Sequence, residues 1–415
     1  MVLRAIRGLL PSGAQPDAAR LVLARSLRGF VDGMVSVLLA SYLTDLGFSA
    51  GEVGVLITAT LLGSAVLTLG VGLFARPGDT RRILLAASGL MLLTGLGFVG
   101  MTDFWPLLVI AFCGTLNPSN GDVSVFLPTE QAALTETIDS RGRTALFARY
   151  TLGGSFFAAL GALASGVPVA IGRWQGWDLV DAQRIGFVLY AGAAVGVGFI
   201  YLGMQRPAQA GERRRRSPLA RSRSVVLRLS ALFSLDSFGG GFVVQSLLAL
   251  WLFERYDMSV ETAGAIFFVA GLLSAFSQLA SAWLAERIGL IRTMVYTHLP
   301  ANGLLVLAAF MPNAPLAVAC LLARTALSQM DVPARQSYVM AMVPPEERAA
   351  AASVTNVPRS LASALAPALA GYLLAHTTFG WPLVLGGAIK AGYDLLLLAQ
   401  FRSQRPEEEL AAGRA

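Results

Sequence analysis

Polar positions along this chain fall into narrow gaps between long apolar runs, and each run is long enough to cross the hydrocarbon of a bilayer, about 20 residues as a helix. Twelve such runs lie near residues 21–44, 52–75, 83–101, 106–127, 144–167, 184–204, 225–252, 262–284, 293–311, 315–333, 349–375 and 382–401. The gaps are short and carry helix-ending residues. Thr102-Asp103-Phe104-Trp105-Pro106 and Met311-Pro312-Asn313-Ala314-Pro315 put proline, asparagine and aromatic side chains where a helix stops at an interface. Composition agrees with this pattern: 55% of the chain is apolar and 14% charged, against about 25% charged in an ordinary soluble domain. The chain is therefore expected to be an all-α integral membrane protein embedded in the lipid bilayer.

Arginine adds an orientation. Arg173, Arg184 and Arg255 fall on one face, whereas Arg76, Arg81, Arg82, Arg141, Arg143, Arg287, Arg292, Arg335 and Arg348 fall on the other. Positively charged loops stay cytoplasmic, which predicts a multi-pass protein of the plasma (inner) membrane with both termini cytoplasmic. A polar, basic stretch containing Arg213 to Arg216 separates the sixth run from the seventh. It predicts a cytoplasmic linker at 205–224 between a first bundle at 1–204 and a second at 225–415, anchored against anionic lipid rather than nucleic acid. Residues 1–19 hold too short an apolar run, and no cleavage site, for a removed signal peptide. Cys113 and Cys320 lie inside apolar runs and the chain has two histidines, so neither a disulfide framework nor a metal cage is expected. No phosphate loop and no nucleophile with a base and an orienting group can be assembled, so neither an enzyme nor a cofactor is expected.

The chain also repeats itself. Pro128, Gln131 and Arg143 recur as Pro333, Gln336 and Arg348 with spacings of three and then twelve residues, and Leu134 and Ile138 are answered by Val339 and Val343. Two fused copies of a multi-helix membrane unit, with a site between them, is a common plan for a solute carrier.

A family resemblance enters at two loops. Leu73-Phe74-Ala75-Arg76-Pro77-Gly78, followed by Arg81 and Arg82, and Leu284-Ala285-Glu286-Arg287-Ile288-Gly289, followed by Arg292, come after the second and eighth runs. Both resemble the signature loop of the major facilitator superfamily. The resemblance implies 12 transmembrane helices in two pseudo-symmetric six-helix bundles, a central cavity lined by spans 1, 4, 7 and 10, and alternating access. It makes Arg76, Glu286 and Arg287 parts of a gate. Ala75 replaces the acidic residue that Glu286 retains, so latching is expected to be lopsided. The family's arginine in span four is missing, while Arg324 with Ser328 holds the corresponding place in span ten. Span five lacks the glycine–proline pair of proton-driven drug antiporters, and Gly203 to Pro207 does not resemble the sugar-porter signature.

A charge at the centre of a spanning helix costs about 2.5–3.5 kcal/mol and needs a partner or a watery cavity. Asp32 and Asp236 each lie about ten residues into matching spans and are read as substrate or coupling groups, with a structural ion pair as the alternative. Asn117-Pro118-Ser119-Asn120-Gly121-Asp122 interrupts span four, either as a binding segment with freed carbonyls or as a simple kink; Asp122 is read as a proton site or a gate. Arg324 is the first choice to meet an anionic group or to pair with Asp32, followed by Arg149 in span five and Arg359 with Asn356 in span eleven. Lys390 and Asp394 stand four apart and predict an internal pair, and His298 in span nine is read as structural, on a peripheral helix, with a titrating group as the alternative. Asp331 with Arg335 forms a further gate element, and the loops of Gln131 and Gln336 form a hinge. Together these features point to a monomeric secondary transporter that moves a small-molecule substrate and is coupled to protons. The alternatives are a uniporter or anion exchanger, or a transporter-like sensor or scaffold.

Overall fold

The computed structural model describes residues 6–8, 10–74, 79–119, 124–138, 140–205, 222–344 and 347–402. In chain order the long helices are α1 (Pro16–Asp45), α2 (Ala50–Phe74), α3 (Thr80–Gly100), α4 (Phe104–Cys113), α5 (Phe126–Glu136), α6 (Ser140–Ala164), α7 (Val167–Gln175) and α8 (Leu179–Leu202). They continue as α9 (Arg223–Gly241), α10 (Gln245–Tyr256), α11 (Val260–Ile288), α12 (Leu290–Ala309), α13 (Ala314–Ser328), α14 (Asp331–Ala341), α15 (Arg348–His376) and α16 (Trp381–Phe401). No strand occurs among the described residues. The helices supply twelve spans in two pseudo-symmetric sets of six, because α7 continues the span of α6 and three further spans are each made of two half-helices: α4 with α5, α9 with α10, and α13 with α14.

Local chemistry sets the boundaries. Pro16 opens α1 at a position whose N–H would be unbonded anyway. The chain turns out of α1 at Gly47, whose φ of +93° suits a residue without a Cβ. Asp178 caps α8 by accepting from the Val180 amide at 3.0 Å, and Asn313 caps α13 by accepting from Leu316 at 3.1 Å. The repeated prolines mark helix starts. Pro128 and Pro333 each occupy the first turn of a half-helix, α5 and α14, where proline is tolerated because its missing N–H has no helical acceptor to lose. The segments holding Gln131 and Gln336 are therefore helical, and the reading of them as loops is corrected.

By length and apolar content alone, seven stretches among the described residues qualify as spans: Ala50–Phe74, Thr80–Gly100, Ala145–Gln175, Leu179–Leu202, Arg223–Tyr256, Val260–Gln278 and Trp381–Phe401. Most of the others are interrupted or carry buried charges. The outward faces are apolar, with Leu93, Val109, Phe199 and Leu365 exposed and Trp105 and Trp174 exposed near helix ends, as lipid contact and an interfacial aromatic belt require.

The chain forms two compact units, Met1–Glu212 with Val244–Gly271, and Arg213–Val243 with Leu272–Ala415. Inside the first, α1 packs on α6 and α8, and α3 on α8; inside the second, α9 packs on α15 and α16, and α12 on α16. These are the same pairs of spans, shifted by six. Lipid supplies no hydrophobic drive between helices, so close approach of small residues holds them together. Gly29 and Gly33 of α1 lie against the carbonyl oxygens of Gly154 and Ala158 in α6, and Gly161 of α6 lies against that of Phe30. In the second unit Gly241 of α9 meets the Ser363 carbonyl of α15.

A side chain at Gly33 has no room, whereas one at Gly70 meets open space. Gly33→Leu is expected to destabilise the purified protein by about 1–3 kcal/mol through overpacking, with Gly70→Leu unchanged; thermal unfolding in detergent measures both.

Candidate functional site

Two buried polar centres are built on the first helix of each half. On α1, helical periodicity brings Arg25, Gly29, Asp32 and Gly33 to one face, where they line a cavity in the first unit together with Asn117, Ser119, Ser155 and Gln245. Its volume of about 30 Å³ has room for one or two water molecules. Asp32 and Asn117 are both buried in its wall.

The broken fourth span supplies part of that wall. After α4 ends at Cys113, the described residues 114–119 are not helical, and their polar groups find partners elsewhere. The Asn117 side-chain oxygen accepts from the Ser119 amide at 3.2 Å and its hydroxyl at 2.9 Å. The Thr115 carbonyl accepts from the Tyr190 hydroxyl at 3.0 Å. The Pro118 carbonyl accepts from the amide and the hydroxyl of Ser246, each at 3.1 Å, at the start of α10. Gln245 donates to the Ser36 hydroxyl at 2.8 Å. This is the backbone opening expected around Pro118, satisfied within protein as a bilayer demands.

Beside the cavity lies a centre that no expectation included. Glu130 of α5, fully buried, accepts from the Arg28 guanidinium of α1, from the Tyr150 hydroxyl of α6 at 2.5 Å and from the Tyr201 hydroxyl of α8. The Arg28 guanidinium also lies 4.2 Å from the centre of the Phe126 ring. One carboxylate thus joins four helices.

In the second unit the centre is Asp236 of α9. Lys390 of α16 donates to its Oδ1 at 2.5 Å, Arg335 of α14 to its Oδ2 at 3.1 Å, and His298 Nε2 of α12 lies 3.9 Å from Oδ1. Arg335 also reaches Asp331 at 3.3 Å, one turn earlier on α14. His298 Nδ1 lies 2.9 Å from Asp394 Oδ1, and the Asn302 amide donates to Oδ2 at 2.8 Å. Arg359 of α15 donates to the Ser237 hydroxyl at 3.1 Å and to the Asn356 side chain at 3.2 Å.

Several expectations change here. Lys390 and Asp394 do not form the internal pair that their spacing predicts; Lys390 holds Asp236 and Asp394 holds His298, because buried partners on neighbouring helices outcompete a local contact. The matched aspartates differ in surroundings: Asp32 lines the cavity and Asp236 is gripped by two cations. Arg335 and Asp331 belong to the Asp236 network rather than standing apart as a pair. Arg324 on α13 is half-buried, with Asp236 among its charged neighbours and its Nε without a hydrogen-bond partner. Arg149 is exposed and donates to the Ala145 carbonyl at 3.0 Å on its own helix, and Asn356 is exposed. Gln131 is half-buried and Gln336 exposed. Glu286 and Arg287 are exposed at the end of α11, with Arg287 3.9 Å from the centre of the Trp283 ring. Arg76, Asn120 and Asp122 lie outside the described residues. Glu130 was legible in principle: it stands where Arg335 stands in the second copy of the repeat, each two residues past the repeated proline.

A duplicated set of helices, interrupted in matching spans and carrying buried charge on the first span of each half, defines a multi-pass membrane carrier. The chain belongs to the Major Facilitator Superfamily, whose family model matches residues 21–330. It is similar to an uncharacterized membrane protein of Saccharomyces cerevisiae, YJR124C, with 24% identity over 405 residues, 89% of this chain and 90% of the yeast protein. Among solved structures it resembles a D-xylose–proton symporter, with TM-score 0.74, 15% identity and coverage of 91% of this chain and 96% of that one. It also resembles a bacterial homologue of the human lysosomal transporter Spinster in an inward-facing, occupied conformation, with TM-score 0.72, 15% identity and coverage of 94% and 97%. The nucleoside transporter NupG matches with TM-score 0.70, 11% identity and coverage of 94% and 100%. At these identities the solved structures share the fold.

Removing one member of a buried ion pair leaves the other uncompensated. Glu130→Leu is expected to cost about 3–5 kcal/mol, and adding Arg28→Met to recover part of that loss; a double-mutant cycle on thermal stability checks it.

Proposed function

We propose that this chain is a secondary transporter that carries a small polar solute across the plasma (inner) membrane by alternating access, coupled to protons. It works as a monomer with both termini cytoplasmic, the orientation that the arginine distribution favours. The observation that carries the proposal is the cavity in the first unit, where the buried carboxylate of Asp32 shares one wall with Arg25 and with the amides of Asn117 and Gln245. A carboxylate at that depth is costly unless it is paired within the protein or faces a watery cavity, and its position in the cavity wall puts it within reach of a proton or a solute group. Neutralising it changes the relative stability of states that contact it differently, which is how a proton gradient acts on a carrier. Sugars and nucleosides, the classes named for the structural neighbours, are the first solutes to screen.

A second reading is exchange of anions without protons. It is favoured by the cations of the second unit: Arg324, Arg335, Arg359 and Lys390 stand around Asp236, Asp331 and Asp394.

Thermal-shift screening of purified protein identifies a stabilising solute, and reconstituted vesicles then test coupling. Asp32→Asn is expected to lose pH-gradient-driven accumulation by roughly tenfold more than it loses solute counterflow. Equal losses in the two assays, or accumulation like that of the unmodified protein, would exclude Asp32 as the coupling group; solute-driven flux that leaves lumenal pH unchanged would favour the anion reading. Binding without any flux would leave only a sensor or scaffold.

A further inference from the structure

The second unit holds a charge arrangement that neither cavity nor gate explains. Asp236, Asp331 and Asp394 are three buried carboxylates, and the cations in direct contact with them among the described residues are Lys390 and Arg335. Both cations are spent on Asp236 and Asp331. Lys390 lies one turn before Asp394 on α16 but turns its ammonium to Asp236 at 2.5 Å. Asp394, with no exposed surface, meets instead the neutral amide of Asn302 at 2.8 Å and the imidazole of His298, whose Nδ1 lies 2.9 and 3.1 Å from its two oxygens. The other ring nitrogen of His298 faces Asp236 Oδ1 at 3.9 Å. A buried carboxylate without a cation in direct contact is strongly disfavoured, and one added proton on this pair gives Asp394 a cationic partner in the imidazole 2.9 Å away.

We propose that the His298–Asp394 pair is a proton-binding site of the carrier, additional to Asp32. This rests on the proton-coupled reading above and extends it to the second unit. The proton comes from and returns to water, and one N–H or O–H bond is made or lost. When it is bound, the imidazolium lies between Asp394 and Asp236. When it leaves, Asp236 loses a positive neighbour, and its hold on Arg335 of α14 and Lys390 of α16 changes. The other groups facing this place are the Tyr393 ring of α16, 6.1 Å from the imidazole centre, and Arg324 of α13 and Arg359 of α15, whose charges act on Asp236. The position suits a switch, because α9 ends five residues beyond Asp236 at the glycines that interrupt span seven, and Arg335 stands on the half-helix that begins after the break in span ten.

The test uses the fact that the chain has two histidines. His376 is exposed, so full-length His376→Gln protein leaves one imidazole to observe, and histidine labelled with nitrogen-15 reports its protonation directly. Between about pH 5 and 8, the range over which histidine serves as a switch, the ring of His298 is expected to pass between its cationic and neutral forms. With Asp394→Asn added, it is expected to be neutral at about pH 7. A ring held in one protonation state across that range, or one indifferent to Asp394→Asn, overturns the proposal. In vesicles containing a pH-sensitive dye, His298→Gln is expected to lower the number of protons moved per solute by roughly half; an unchanged ratio overturns the coupling role. If the unmodified protein moves solute without protons, the coupled reading fails, and the nitrogen-15 titration still decides whether the pair binds a proton.

Discussion

A charge carried into a bilayer has to be met by another group of the protein, and both halves of this chain are organised around that demand. In the first unit Glu130 gathers Arg28, Tyr150 and Tyr201 from three helices; in the second Asp236 gathers Lys390, Arg335 and His298 from three more. Such clusters are a poor source of net stability compared with apolar packing, and breaking one leaves a stranded charge. What they do is join helices, four around Glu130 and four around Asp236. Glycine contacts then bring the same helices close enough for dispersion and backbone packing to hold them.

The duplication preserved this plan while inverting its sign. Glu130 and Arg335 occupy the same position of the repeat, on half-helices that each restart a broken span at a repeated proline. In one half the half-helix contributes the acid and α1 the base; in the other it contributes the base and α9 the acid. Asp32 and Asp236 differ as well, one lining a small cavity and the other held by Lys390 and Arg335. The halves therefore share geometry and differ in chemistry.

Much of the fold could be read from hydrophobic pattern, because twelve runs of spanning length and a shifted repeat leave few alternatives. The interruption near Pro118 was visible in its own residues, and so was the glycine cluster ending α9. The break before Asp331 was not, since Gln329 and Met330 carry no local sign of it and the tenth apolar run continues to residue 333. The candidate site was harder. Ending the fourth run at residue 127 placed Glu130 in a loop and hid its pairing with Arg28, although alignment of the repeat sets it against Arg335. Lys390 and Asp394 misled for a physical reason: helical spacing says which residues can meet, whereas burial among α9, α12 and α16 decides which do.

The self-contained ionic core of the first unit also bears on biosynthesis. Arg28, Glu130, Tyr150 and Tyr201 all precede the basic stretch in the middle of the chain, so a ribosome has delivered every partner of that cluster before the seventh span is translated. A nascent half-chain can leave the insertion machinery with its deepest charges already neutralised, without waiting for its twin.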